Sequence, residues 1–229
     1  MALLTETTRI SDVLLHEGFE EVNYTRDAIT LLSGGSACVV GQVLGKINVG
    51  TATAAAKGGG NTGNGTCTLV TAQPKAVAGV YKAIVEIAGT NSATWNLYDP
   101  NGELIDQKVY AGSGATAVFA NDQIHATITD GSTDFVVGDE FDITVVAGSG
   151  KWVQVNPSAT DGSNVAAGVC LLAADPTSAD VASVAVTRGP AILKTGGLTW
   201  TSGMTTNQQT AALAQLAALG ITSRTDYGA

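Results

Sequence analysis

The chain has 229 residues, a net charge of −9 and a pI near 4.5, and charged residues make up only 14% of it. Nucleic-acid binding draws on clustered Lys and Arg, so the eleven scattered basic residues argue against a nucleic-acid partner. No run of apolar residues approaches about 18, so the sequence predicts no membrane span. The acidic start lacks the basic region of a signal peptide, which favours synthesis in a cytoplasm.

Residues 1–33 contain the densest charge of the chain and the alternating segment NYTRDAITLL. Alternation in an extended chain places the odd-numbered residues 25–31 on one face and the even-numbered residues 24–30 on the other. Two interpretations stay open: an extended arm that binds the edge of a partner, or a first strand of the main sheet. The arm interpretation assigns partner binding to Asn23, Tyr24, Thr25, Arg26, Asp27, Ala28, Ile29, Thr30 and Leu31.

Small residues dominate the next segment. The run ACVVGQVLGKINV, residues 37–49, predicts an apolar strand with bends at Gly41 and Gly45. The following GTATAAAKGGGNTGNGT predicts a flexible connector or a long loop. This segment is therefore a candidate domain boundary.

Residues 67–150 show short alternating segments separated by turn signals about every 8 to 12 residues, a pattern typical of an antiparallel sandwich or barrel. TWNLYDPNGELID predicts a hairpin whose DPNG sequence, residues 99–102, suits a type I turn. Trp95 and Leu97 share the predicted apolar face of its first strand. This part of the chain is long enough to fold as a domain.

The last third begins with turns at Asp161-Gly162 and Asp175-Pro176, each followed by a strand of small and aliphatic residues. Near the end, TTNQQTAALAQLAALG predicts a helix. A capping box of Thr206 with Gln209 would begin the helix, and Gly220 would end it. Its apolar stripe is predicted at residues 213, 216 and 217.

The residue pattern predicts no catalytic residues, no cofactor and no metal, and so no enzyme. Asp139, Glu140 and Asp142 form an acidic group, but alternation places it on a solvated face, with calcium as the remaining option. The loop DGSTD, residues 130–134, has some likeness to a calcium loop but lacks its full acidic set and closing Glu. No nucleophile elbow or phosphate loop is present.

The remaining reactive side chains give weak signals. His16 and His125 are the only histidines: His16 lies in the predicted arm, and His125 lies in a predicted strand, where it is interpreted as exposed or packed at a rim. The three cysteines, Cys38, Cys67 and Cys170, lack paired metal-ligand spacing and are interpreted as inert thiols.

The run DGSNVAAGVCLLAADPTSADVASVAVTRGP, residues 161–190, resembles the head decoration proteins of lambda-like tailed bacteriophages. The similarity lies in the DG turn, the small-residue strand AGVCL at residues 167–171, the turn ADPTS and the step at Gly189. It continues into the closing AALAQLAALGITSR, whereas SACVVGQVLGKI resembles the opening strand of that family more loosely. The middle third has no counterpart in short members of the family.

The resemblance implies a mainly β fold: a β-clip-like decoration core with a C-terminal helix, plus an inserted antiparallel β-sandwich or barrel-like domain. The expected domains are an N-terminal capsid-binding arm at 1–33, the core at 34–50 and 151–229, and the insert at 51–150. The implied function is to stabilise the shell as a homotrimer at three-fold sites on the outer surface of the expanded phage head. The implied partners are the major capsid protein and the protein itself, with no nucleic acid and no membrane.

The implied location is the outer capsid surface of the virion, after synthesis in the host bacterial cytoplasm. One alternative of a different class stays open: a β-rich glycan-binding or adhesion module on the virion surface. Surface aromatic residues on one face of the inserted domain would favour that alternative.

Overall fold

A computed structural model describes residues 8–18 and 24–225. The chain divides into unit 1, residues 1–47 and 150–229, and unit 2, residues 48–149. The strands are, in chain order, β1 (Leu14–Glu17), β2 (Arg26–Leu31), β3 (Val43–Lys46), β4 (Val49–Ala56), β5 (Thr66–Ala72), β6 (Gly79–Gly89), β7 (Ser92–Tyr98), β8 (Leu104–Ala111), β9 (Thr116–Ala120), β10 (Ile124–Thr129), β11 (Glu140–Ala147), β12 (Trp152–Gln154), β13 (Ala166–Cys170), β14 (Val181–Val186), β15 (Ala191–Lys194) and β16 (Ile221–Arg224). The helix α1 (Thr206–Ala218) lies between β15 and β16. The predicted class, mainly β with a C-terminal helix, is confirmed.

Unit 1 is built on a closed barrel with the strand order β12-β2-β14-β13-β3, beside a three-stranded sheet with the order β1-β15-β16. One hydrophobic cluster packs around β2, β3 and β13, with Leu31, Leu44 and Trp152 among its members. A second cluster links the barrel to α1 and the smaller sheet through residues such as Val169 and Leu216. Apart from Trp152, the buried apolar residues of these clusters are aliphatic or small.

Glycine permits the close backbone packing of unit 1. A Cβ atom on Gly45 would lie 2.2 Å from the carbonyl oxygen of Ser163, and one on Gly189 would lie 2.0 Å from that of Gly220. Both distances are far inside van der Waals contact with main-chain atoms, which move less readily than a flexible side chain. Any larger residue at these positions would force the neighbouring main-chain segments apart.

Helix α1 begins one residue earlier than the sequence pattern predicted. Thr205 is the N-cap and forms a capping box with Gln208, and Gly220 follows the helix with a φ of 78°. Ala212 and Leu216 are the buried residues of the helix, so the predicted stripe was wrong at Ala217. No helix among the described residues is long and apolar enough to cross a membrane.

Unit 2 is a sandwich of two antiparallel sheets. The larger has the order β4-β11-β6-β7-β8 and the smaller the order β5-β10-β9, and one hydrophobic cluster draws residues from both. The predicted hairpin is confirmed: β7 pairs with β8, and the N–H of Gly102 donates to the carbonyl of Asp99, which closes a four-residue β-turn.

Aromatic rings form the centre of the unit 2 core. Trp95 packs edge-on against Phe135 at 4.9 Å between ring centroids and stacks with Phe141 at 5.6 Å. Trp95 has no solvent-accessible surface. Pairs of this kind add about 0.5–1.5 kcal/mol to the stabilisation from burial.

The sequence predicted a flexible connector or long loop after residue 50, and this prediction was wrong for its first six residues. Residues 49–56 form β4, which pairs with β11 along its whole length. The glycine-rich loop that follows is held by the buried carboxylate of Asp139, which accepts the N–H groups of Thr62 and Gly63, both at 2.9 Å. Gly63 and Gly65 leave space for the ring of Phe135, which a Cβ atom would enter.

Candidate functional site

The segment that the sequence singled out, Asn23–Leu31, falls mostly within β2. Asn23 lies outside the described residues, Tyr24 is half exposed, and Thr25 is buried. Ile29 and Leu31 point into the barrel core, which confirms the predicted alternation of faces. The other face, at Ala28 and Thr30, is exposed.

Residues 26–31 therefore belong to the barrel and do not form a free arm. β2 pairs with β14 over its full length, from Arg26 opposite Val186 to Leu31 opposite Val181. The first-strand alternative describes this segment, because the apolar half of the alternation, Ile29 and Leu31, contributes to the barrel core. The sequence alone could not separate the two interpretations.

Two ion pairs hold the start of β2. Glu17, which is buried, accepts hydrogen bonds from the Arg26 guanidinium and, at 2.6 Å, from the Thr25 hydroxyl. Burial alone would raise the pKa of Glu17, but these bonds and the charge of Arg26 hold it below the ordinary value. Asp27 pairs with Arg188, whose guanidinium lies 5.3 Å from the centre of the Tyr24 ring.

The barrel closes between β2 and β12 through a single residue pair, so within the described residues most of the other edge of β2 is open. β12 pairs with β2 only at Leu31, so Arg26–Ile29 has no strand partner on that side among the described residues. Because Thr25 accepts the N–H of Thr187, the alternation of an antiparallel ladder directs the N–H and C=O of Ala28 away from β14. These groups can form backbone hydrogen bonds with an added strand.

A cleft of about 280 Å³ borders this region. Its lining includes Arg26, the β1 residue Leu15 and the preceding Ile10. Ile10 and Leu15 are 41% and 44% exposed, which makes them two of the larger exposed apolar side chains of unit 1. The open edge and the cleft together form a surface that combines main-chain hydrogen-bonding groups with apolar contact area, which we call the β2-edge surface.

The acidic group that the sequence singled out does not form one site. Asp139 is buried, and its carboxylate accepts hydrogen bonds from backbone N–H groups. Glu140 and Asp142 lie instead on the polar face of β11 beside Lys82. The Lys82 ammonium is 2.5 Å from Glu140 and 3.7 Å from Asp142. Within residues 8–18 and 24–225, no three or more His, Cys, Asp or Glu side chains could together hold a metal ion.

The histidines both lie on strands, although the sequence placed His16 in an extended arm. His16 and His125 are exposed, on β1 and β10. The three cysteines are unbridged, and burial raises the pKa of Cys38 to about 11 and of Cys67 to about 12. Thiols with such pKa values are poor nucleophiles at neutral pH.

Comparison with known proteins now identifies the family. The family model of the bacteriophage lambda head decoration protein D matches residues 3–221. The chain belongs to this head decoration family. The match crosses both units, so the inserted unit 2 lies inside the matched range. Family membership places the protein in a structural, non-enzymatic class associated with the phage capsid.

The other comparisons add little. No curated protein matches the chain. Two crystal structures of Xanthomonas campestris FlgL, in space groups H3 and C2, match with 20% and 21% sequence identity and a TM-score of 0.31 each. They cover 48% and 49% of this chain, which in turn spans only about a third of FlgL, 32% and 33%.

The glycan-binding alternative required surface aromatic residues on one face of unit 2. Of the seven aromatic residues of unit 2, six are buried, and Tyr98 alone is partly exposed. The hydroxyl of Tyr98 accepts a hydrogen bond from the buried side chain of Asn96. A stacking platform of several rings is therefore not formed by this unit, and no observation favours the alternative.

Proposed function

We propose that this decoration protein binds the major capsid protein on the outer surface of the expanded phage head, as a homotrimer at three-fold sites, and stabilises the shell. The observation that carries the proposal is the family match over residues 3–221. Bound protein stabilises a shell through mass action, because it binds the assembled state and not its dissociated parts. In a closed trimer, one surface patch of each subunit binds a different patch of the next subunit, so the same contact occurs three times around the axis.

The β2-edge surface is the capsid contact in this proposal. Its occupant is an extended segment of the capsid protein, added as a strand along Arg26–Ile29 with an apolar side chain in the cleft beside Leu15. In strand addition, main-chain hydrogen bonds supply affinity and side-chain pockets supply specificity. This contact replaces a free arm with a strand that is already in place, so little chain has to become ordered on binding.

A proline substitution tests the contact. Ala28→Pro removes one outward N–H from an exposed edge position, where strands tolerate proline, and Ala28→Val keeps the N–H as the matched control. We expect the proline variant to bind expanded, undecorated heads about tenfold more weakly than either the wild type or the valine variant. Equal binding by the two folded variants would contradict strand addition at β2.

Deletion of residues 1–33 is a poorer test. It would remove β1 and β2, and with β2 the buried residues Ile29 and Leu31, so the loss of head binding would report a damaged barrel. The oligomeric part of the proposal has a separate test: native mass spectrometry of the protein bound to and released from heads. Release of monomers alone, under conditions that preserve complexes, would contradict a trimer.

A further inference from the structure

Asp130, in unit 2, carries a buried carboxylate oxygen without a hydrogen-bond partner. The residue is 6% exposed, and its Oδ1 accepts the hydroxyl of Tyr110 at 2.9 Å. Its Oδ2 is buried and has no hydrogen-bond partner. A buried carboxylate oxygen left unpaired is costly, so such an atom points to a missing ligand.

A second carboxylate lies on the same short loop. Asp134 follows Asp130 by four residues, and Ser132 lies between them, so side-chain oxygens occur at every second position. This is the spacing at which calcium loops present their first three side-chain ligands. The Oδ1 of Asp134 accepts the N–H of Asn91 at 2.9 Å.

Hydrogen bonds connect this loop to the turn between β8 and β9. The N–H of Asp130 donates to the carbonyl of Ala115. Asn91, which holds Asp134, accepts the N–H of Gly112 through its own carbonyl. The backbone of Asp130 therefore bonds to the turn at residues 112–115 directly, and the Asp134 carboxylate is linked to it through Asn91.

The loop is also held from its other side. The Asn64 side chain donates to the Ser132 hydroxyl and accepts the N–H of Thr133, each at 2.9 Å. A Cβ atom on Gly131 would lie 2.0 Å from the Asn64 side-chain oxygen, so glycine is needed at that position. A loop held on both sides keeps its oxygens close to a binding geometry before a ligand arrives.

We propose that the Asp130–Asp134 loop binds a calcium ion. Asp130 supplies its unpaired Oδ2 and Asp134 its carboxylate, while hydroxyl and carbonyl oxygens of the loop and water complete the shell. Calcium suits this set because it accepts six to eight oxygen ligands in flexible geometry, whereas magnesium demands a near-ideal octahedron. Two carboxylates without a closing bidentate Glu predict weak binding, with a Kd of about 10⁻⁴–10⁻³ M.

Thermal unfolding of the full-length protein tests the site. In 10 mM calcium chloride, relative to EDTA at equal ionic strength, we expect the melting temperature of unit 2 to rise by about 5 °C. Asp134→Asn keeps an acceptor for the Asn91 N–H and should lose most of the rise. Asp122→Asn, at an exposed carboxylate paired with Lys75, is the matched control and should keep it.

Terbium luminescence localises the ion. Terbium substitutes for calcium, and the Tyr110 ring beside Asp130 should sensitise its emission, which calcium should then quench by displacement. Emission should fall several-fold in Tyr110→Phe and in Asp134→Asn. No calcium-dependent rise in the wild type, an equal rise in magnesium, or an unchanged rise in Asp134→Asn would overturn the proposal and leave a buried water as the partner of Asp130.

Discussion

The two units stabilise themselves in different ways. Unit 2 has long strands around an aromatic core and carries ten acidic and four basic residues, whereas unit 1 has short strands around aliphatic clusters that glycine brings together. We therefore expect the loss of an aromatic ring to destabilise unit 2 most, and the addition of a methyl group at a packed glycine to destabilise unit 1 most. The comparison teaches that a small-residue sequence can specify tight packing as firmly as a large aromatic core.

Of the substitutions considered, Trp95→Ala should lower the stability of unit 2 the most. It removes the ring that touches both Phe135 and Phe141, at a cost of about 3–5 kcal/mol. Hydrogen–deuterium exchange resolved by peptide should show lost protection in residues 48–149 and unchanged protection in the barrel. Trp95→Phe, which also removes an indole N–H that has no partner, should cost clearly less.

Gly45→Ala should break unit 1. The added methyl group meets the Ser163 carbonyl at 2.2 Å, and relief requires main-chain movement that we expect to cost about 3 kcal/mol. Gly58→Ala is the matched control in unit 2, because its Cβ would meet no atom within 4 Å. If exchange protection of the barrel survived Gly45→Ala, close packing would not be what stabilises unit 1.

Two neighbouring carboxylates of unit 2 should respond to pH in opposite directions. Burial favours a raised pKa for Asp139, but the N–H groups of Gly63, Thr62 and Val136 lower it below the ordinary 3.8. Its stabilisation is therefore present above about pH 4 and lost as the pH falls. Asp139→Asn should lower the free energy of unfolding of unit 2 by about 2 kcal/mol at pH 7. Below about pH 4, the melting temperature of the variant should fall less steeply with pH than that of the wild type.

Asp142 behaves in the opposite sense. Burial raises the pKa of Asp142, and the neighbouring Glu140 carboxyl raises it further. The stabilisation from the protonated Asp142 carboxyl is therefore present below pH 3.8 and is lost as the pH rises through the pKa of the folded protein. Asp142→Asn should therefore raise the melting temperature of unit 2 at pH 7. A fall in that temperature would show that the contact with Lys82 outweighs the cost of burying the charge.

The helix cap of unit 1 should give the smallest effect. Thr205→Ala removes the hydroxyl that accepts the Gln208 N–H, at a cost of about 1 kcal/mol. Thr205→Ser keeps the cap and should be close to neutral. Circular dichroism melting of the two variants measures the difference, and equal melting temperatures would show that α1 does not depend on this box.

The sequence predicted those features that depend on local chemistry. Alternation predicted the buried face of β2, and the DPNG turn predicted the β7–β8 hairpin. Long-range packing decided the rest: TATAAA became a strand because β11 pairs with it, and its small residues gave no apolar alternation to detect. On β14, Ser183 is buried together with Ala185 and Val186, and its hydroxyl donates to the carbonyl of Leu172, a partner that lies on another segment of the chain.

The candidate site was only partly predictable. The segment around Arg26–Leu31 could be found from its pattern, but its place in a barrel depends on β14, which lies some 150 residues later. The open edge follows from β12 being only three residues long and could not be read from β2 itself. The unpaired oxygen of Asp130 likewise depends on which neighbours the fold supplies.

Binding stoichiometry on heads tests the central claim most directly. Purified protein would be co-sedimented with expanded, undecorated heads of the phage that encodes it, and the bound copies counted per capsid subunit. Trimers at three-fold sites predict saturation at about one copy per capsid subunit. Folded protein that leaves the heads bare, or saturates far from that ratio, would contradict decoration of the shell at three-fold positions.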